Sequence, residues 1–229
     1  MSSLYDRSVV CPICSTSFES KKVKRSAIAV KKRDEDYCAY YKGDNPMYYS
    51  IFVCPSCGFA SFETEFKEIK MIGNRFKEDF RKRVTTSWRG KSFCNGRDWD
   101  EALETYKLAL LSYSTLGYKK SALAKVCLRI AWLHRYQGNL DKELHFMKYA
   151  RDGFVDAYQN ENLADDKENE LVTMLLVGEL SRRLEEYDVA VRWFDKLLKE
   201  PDVKKKRHIE LRARDLWSET SAAYKATRE

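Results

Sequence analysis

Proline and glycine are scarce: four and nine among 229 residues. That scarcity argues against a loop-rich or sandwich fold. Histidine is scarcer still, with three residues and none before His134. A metal site in the first half must therefore be built without imidazole. No apolar run approaches the ~20 residues that a membrane-spanning helix needs. The opening stretch, Met1 to Arg7, has no apolar core of the signal-peptide kind. No nucleophile–base–acid constellation is legible, so no catalytic residue is assigned. These absences predict a cytoplasmic, non-catalytic chain without membrane contact.

What is present begins with charge. The chain is 44% hydrophobic and 34% charged, enough apolar content to bury a core. The net charge is +7, and all of it lies before residue 94, where 18 Lys/Arg face 11 Asp/Glu. The remainder is balanced, 24 against 24. Such asymmetry points to an anionic partner for the first part or to a solvated basic face.

Seven cysteines make an odd number, and four of them form two matched hooks, Cys11-Pro12-Ile13-Cys14 and Cys54-Pro55-Ser56-Cys57. Paired hooks of this form read as metal ligands in a reducing compartment. Four thiolates close a tetrahedral shell and leave no position for substrate, the signature of a structural site. One zinc ion is expected; iron in a rubredoxin-like site uses the same ligands and stays open. The competing reading is a redox-active C-x-x-C pair in a thiol sensor. Cys38 lies between the hooks as a fifth candidate ligand or a buried strand residue. Cys94 and Cys127 have no partner at ligand spacing.

The expected fold class is α+β, mainly α, in three parts. Residues 1–62 form a zinc-ribbon-like module, an antiparallel sheet with two clamped knuckles, in which 48–53 is the clearest strand. Residues 63–96 hold a connecting helix and a linker. Ser61 caps that helix, and Phe66, Ile69, Ile72, Phe76, Phe80 and Val84 form its apolar stripe. Trp88 and Phe93 then dock on the next domain. Residues 97–229 are helical.

In that last part helices are expected after Asp98 as far as Gly117, and over 121–137, 140–159, 170–184, 187–198 and 204–226. A tetratricopeptide-like register is visible. Met174, Val177, Gly178, Tyr187, Ala190, Phe194 and Leu197 fit it. Ile130, Ala131, Gly138, Leu140, Met147 and Ala150 fit again, with Glu143 where a small residue is expected. Trp99, Ala102, Tyr106 and Ala109 fit the second helix of a third unit. The spacings are 41 and 47 residues, longer than the usual ~34. The alternative is a plain helical bundle. A solenoid of helix pairs would offer a groove for a protein or peptide partner.

A second candidate surface combines basic and aromatic residues: Lys22, Lys24, Arg25, Lys31, Lys32, Arg33, Tyr40 and Tyr41. Cations beside aromatics suit single-stranded nucleic acid, RNA above all, through phosphate contacts and base stacking.

Several motifs together resemble a bacterial family catalogued as domain of unknown function number 2225. They are Cys11-Pro12-Ile13-Cys14, Arg33-Asp34-Glu35-Asp36-Tyr37-Cys38, Asn45-Pro46-Met47-Tyr48-Tyr49 and Val53-Cys54-Pro55-Ser56-Cys57-Gly58-Phe59-Ala60. Arg97-Asp98-Trp99-Asp100-Glu101-Ala102-Leu103, Tyr106-Lys107-Leu108-Ala109-Leu110 and Leu128-Arg129-Ile130-Ala131-Trp132-Leu133-His134-Arg135 continue it. Phe59 and His134 depart from the tyrosine expected at each place, and neither touches the hooks. The resemblance implies a bacterial cytosolic protein, with an N-terminal cysteine module that includes residues 33–49 and a helical C-terminal part. It carries no established activity, and it gives Arg33 and Cys38 added weight.

Overall fold

The computed structural model describes residues 2–70, 73–162 and 166–227. The protein is α+β, mainly α. Two compact units divide it. The first is Met1–Arg33 with Ala39–Tyr118, and the second is Asp34–Cys38 with Lys119–Glu229.

In the first unit, β1 (Leu4–Val10) pairs antiparallel with β2 (Ser17–Val23), and β3 (Ala29–Arg33) with β4 (Ala39–Lys42). β5 (Ile51–Val53) pairs with β6 (Ala60–Phe62). These are three separate two-stranded sheets, not the one small sheet expected. Tyr48 and Tyr49 fall outside the strand. They belong to a 3-10 turn, Pro46–Tyr49, whose start is fixed by Asn45 accepting the Met47 N–H at 2.9 Å. Proline without an N–H and an Asn cap favour a turn over a ladder.

Helix α1 (Glu65–Lys70) and helix α2 (Asn74–Arg83) replace the single joining helix. Gly73 is the N-cap of α2, so the periodic stripe does not mark one continuous rod. The Ile72 position and the Phe76 side chain lie outside the described residues. Ser61 does not cap: it lies in β6, fully buried, with its hydroxyl on the Phe62 carbonyl. Phe52, Phe59, Phe66 and Phe80 form the aromatic core. Their rings meet edge-on at 6.0 Å (Phe52–Phe66), 5.4 Å (Phe59–Phe66) and 5.6 Å (Phe59–Phe80).

Helix α3 (Trp99–Leu116) opens on a capping box of Asp98 and Glu101 and ends at Gly117, left-handed at φ 59°. It lies against β5 and β6, so the compact division falls after residue 118 and not before residue 97. The reason is polar as well as apolar. The Ala60 N–H donates to Ser112 Oγ at 3.0 Å, the Phe62 N–H to Tyr113 Oη at 3.1 Å, and Tyr106 Oη to the Met47 carbonyl at 2.8 Å. Each strand of a two-stranded ribbon leaves an outer row of N–H groups unpaired, and this helix satisfies two of those on β6.

In the second unit, α4 (Lys120–Tyr136), α5 (Leu140–Asn160), α6 (Lys167–Arg183), α7 (Tyr187–Lys199) and α8 (Arg207–Ala226) each pack on the next, and α8 also meets α6. Small residues set the closest approaches. A Cβ on Gly178 would stand 2.5 Å from the Phe194 ring, and one on Gly153 3.0 Å from Ala124 Cβ. Close axes require such residues. Leu171, Met174, Phe194, Leu197 and Ile209 lie in the core cluster of this unit.

Candidate metal centre

Each hook sits at the turn of a hairpin, Cys11 and Cys14 between β1 and β2, Cys54 and Cys57 between β5 and β6. The two turns are built alike. The Ser15 N–H donates to the Cys11 carbonyl and the Gly58 N–H to the Cys54 carbonyl, both at 2.9 Å. Cys11 N–H reaches Thr16 O at 2.9 Å, and Cys54 N–H reaches Phe59 O at 2.8 Å. The fourth residue after each leading cysteine is left-handed, Ser15 at φ 64° and Gly58 at φ 75°. Glycine takes that backbone freely, whereas serine is strained in it.

The sulfurs converge. Cys11 Sγ lies 3.6 Å from Cys57 Sγ, and Cys14 Sγ lies 3.6 Å from Cys54 Sγ. All four sulfurs lie within 4.8 Å of one another, a group that could hold a metal ion. Cys11, Cys54 and Cys57 are buried and Cys14 is half-buried. Sulfurs this close cannot all ionise without a cation among them. Cys54 is accordingly pushed down to about 2, first by its hydrogen bond to Cys11 and then by that to Cys57. Cys11 is pushed up first by its hydrogen bond to Cys54, and Cys57 first by its hydrogen bond to Cys11.

The end of α2 and the segment after it buttress both knuckles. Arg81 donates to the Ile13 carbonyl in the first. In the second, Thr85 Oγ1 donates to the Cys57 carbonyl at 3.2 Å, and Trp88 Nε1 to the Pro55 carbonyl at 2.8 Å. The Trp88 ring closes on Gly58 so tightly that a Cβ there would stand 2.7 Å away. Trp88 and Phe93 therefore pack in the first unit, not on a following domain.

Among the described residues Cys38 is not part of the cluster; it belongs to the second unit and contacts Tyr136 Oη at 3.7 Å. Burial raises its thiol to about 12. Cys127 is raised to about 11, again by burial.

The basic and aromatic candidates divide into two groups. Lys22 pairs with Glu63, which also takes Arg7 at 3.0 Å, and Lys22 and Arg25 line one cleft of about 700 Å³ with Tyr5 and Phe62. Lys24 is exposed nearby. Lys31, Lys32 and Arg33 lie on β3, exposed along its length, with Tyr40 and Tyr41 half-buried on β4. The Lys32 ammonium stands 4.4 Å from the centre of the Tyr40 ring.

Two further clusters had no signal in the sequence beyond the motifs that contain them. Arg97 is buried, and among the described residues no carboxylate pairs with it. Its guanidinium donates to the carbonyls of Phe93 (2.8 Å), Tyr48 (3.0 Å) and Ile51 (2.7 Å) and to Ser20 Oγ (3.1 Å). Burial lowers it to about 10. In the second unit Asp36 is fully buried. Arg135 grips both its oxygens, at 3.0 and 2.7 Å, and Trp132 Nε1 donates at 2.9 Å. Burial works to raise the Asp36 carboxyl, and Arg135, Arg183 and Trp132 outweigh it and hold it below the usual value. Arg135 also reaches Asp34 at 2.9 Å and Glu143 at 2.7 Å. The acid that breaks the repeat register at 143 is thus a buried partner of Arg135.

A family described as "Uncharacterized protein conserved in bacteria (DUF2225)" matches residues 4–220. A relative from Borreliella burgdorferi, described as "Uncharacterized protein", is 31% identical over 152 residues. That match covers 59% of this chain and 53% of the relative, so the chain spans about half the relative's length. No solved structure matches the chain.

Proposed function

The chain belongs to the bacterial family DUF2225, and from that premise we propose that it is a metal-stapled interaction protein. Cys11, Cys14, Cys54 and Cys57 hold one structural zinc, and the helical unit binds a protein partner through tetratricopeptide-like repeats. The observation that carries the metal half is the convergence of four sulfurs within 4.8 Å on two turns of the same build. A shell filled by four thiolates leaves no site for water or substrate, so the metal's work is to hold the small ribbon together. It also leaves no free thiolate for a redox role. Zinc fits sulfur ligands at tetrahedral spacing, and a reducing, cytoplasmic location keeps the thiols available.

The partner half is supported by the sequential packing of α4 to α8 and by the close helix crossings at Gly153 and Gly178. Native mass spectrometry of the full chain tests the metal half. One zinc per chain is expected, and a metal-free protein with four alkylatable thiols overturns it. In-cell crosslinking followed by identification of partners bound to α4–α8 tests the other half.

A second reading keeps one observation for itself, the fully exposed basic strand β3 beside Tyr40 and Tyr41. It assigns single-stranded RNA to that hairpin. A labelled RNA oligomer should then shift at low salt and be released steeply as salt rises. No shift at low salt removes this reading.

A further inference from the structure

Within the second unit, a cavity of about 240 Å³ opens between α4 and α6. Its apolar lining comes from Trp132, Phe154, Val172 and Leu176, and Asp36 contributes to its wall. Two cations, Lys125 and Arg129, also line it. Lys125 is exposed and Arg129 half-buried, and among the described residues neither has an ion pair. The Arg129 guanidinium stacks on the Trp132 ring, 4.2 Å from its centre. A stacked guanidinium is already ordered and keeps its N–H edge for an acceptor, so binding a carboxylate forfeits little side-chain freedom.

The unit already seats one segment of that chemistry. Residues 34–38 are acidic and aromatic, and they lie with the helices. Asp36 takes the bidentate grip of Arg135 and the indole N–H of Trp132. Glu35 pairs with Arg212 at 3.1 Å, and the Arg212 guanidinium stands 4.8 Å from the centre of the Tyr37 ring. Trp132 thus serves a bound carboxylate with its N–H, while its face holds a second guanidinium ready for another.

We propose that the cavity between α4 and α6 receives an acidic peptide segment of a protein partner, placing one large apolar side chain against Trp132 and Phe154 and a carboxylate between Lys125 and Arg129. This deepens the partner-binding reading above and rests on it. The positive rim selects acids, and the apolar lining selects an aromatic or branched side chain. Asn169, also on the lining, offers a side-chain amide that can take both the N–H and the C=O of an extended backbone.

The test uses the full chain and a fluorescein-labelled synthetic peptide with one phenylalanine flanked by glutamates, against a counterpart with glutamines. Fluorescence anisotropy should show binding of the glutamate peptide and at least tenfold weaker binding of the glutamine peptide. Lys125→Glu or Arg129→Ala should weaken the glutamate peptide roughly tenfold, the scale of one charge-assisted hydrogen bond. Val172→Trp, which fills the cavity without changing charge, should abolish binding. Circular dichroism melts confirm that each variant is folded. Absence of binding, equal binding of both peptides, or full affinity in all three variants overturns the proposal. If a crosslinked partner stays bound to the Lys125→Glu, Arg129→Glu double variant, the cavity assignment fails and the partner-binding reading stands. If no partner is found at all, that broader reading fails.

Discussion

In the first unit the polar groups that most need compensation are four sulfurs drawn together at two hairpin turns. In the second they are Asp36, Arg135, Glu143 and Glu179, held by one another and by Arg182 and Arg183. The first arrangement could hold a cation from outside the chain. The second supplies its own. The difference follows from where each cluster sits. The sulfurs lie at the tips of two-stranded hairpins of three to seven residues, whereas the ion network lies among α4, α5 and α6. A metal held by the hooks would tie two hairpin tips together, and a helical stack can carry a buried ion network within its own packing.

The sharpest way to break this comparison is to remove the metal. Cys54→Ser, or a strong chelator, should unfold the first unit, because a structural zinc contributes on the order of 10 kcal/mol to a small domain. Hydrogen exchange should then rise across β1–β6 while α5–α8 keep their protection. Equal loss in both units would erase the distinction.

Next in size is Asp36→Asn, which leaves Arg135 buried with one fewer charge partner. Breaking a buried pair costs about 3 kcal/mol. Urea unfolding followed through the helices should move accordingly, and metal content should not. The same carboxylate gives a pH signature. Its folded value lies below the ordinary 3.8, so the unfolded chain takes up the proton first. Its stabilisation is complete at neutral pH and is lost as pH falls below 3.8 through the folded value. Asp36→Asn should flatten the acid limb of the stability curve.

Close packing provides a matched pair of smaller tests. Gly178→Ala would drive a methyl into the Phe194 ring, and Gly58→Ala would meet Trp88 with its backbone at φ 75°. Each should cost roughly 2 kcal/mol, one in the helices and one in the knuckle, read by thermal melts. Only Gly58→Ala should also alter Trp88 fluorescence. The smallest expected effect is Asp98→Ala, which removes the cap of α3 and should cost about 1 kcal/mol.

The parts that could be read from the sequence are those with local causes. The hooks announce themselves by their spacing, and Asp98, Gly117 and Gly138 mark helix ends because capping is chemistry between near neighbours. The misread parts depend on distant or competing partners. Tyr48 and Tyr49 have strand-forming side chains, but Asn45 and Pro46 close a turn over them. Ser61 has the character of a cap, yet its neighbours Ala60 and Phe62 pair with α3 more than fifty residues away. Asp34, Glu35 and Asp36 carry no reading in the sequence beyond the motif that holds them, and nothing near Asp36 reveals that a guanidinium at 135 waits for it. Arg97 is the same case without an acid: its acceptors are backbone carbonyls, which no residue type betrays.

X-ray absorption at the zinc edge of the full chain, purified without added metal, is the most direct measurement. One zinc per chain with four sulfur neighbours at ~2.3 Å is the predicted spectrum. Nitrogen or oxygen in the first shell, or no metal bound to the folded chain, would contradict a ribbon held by Cys11, Cys14, Cys54 and Cys57.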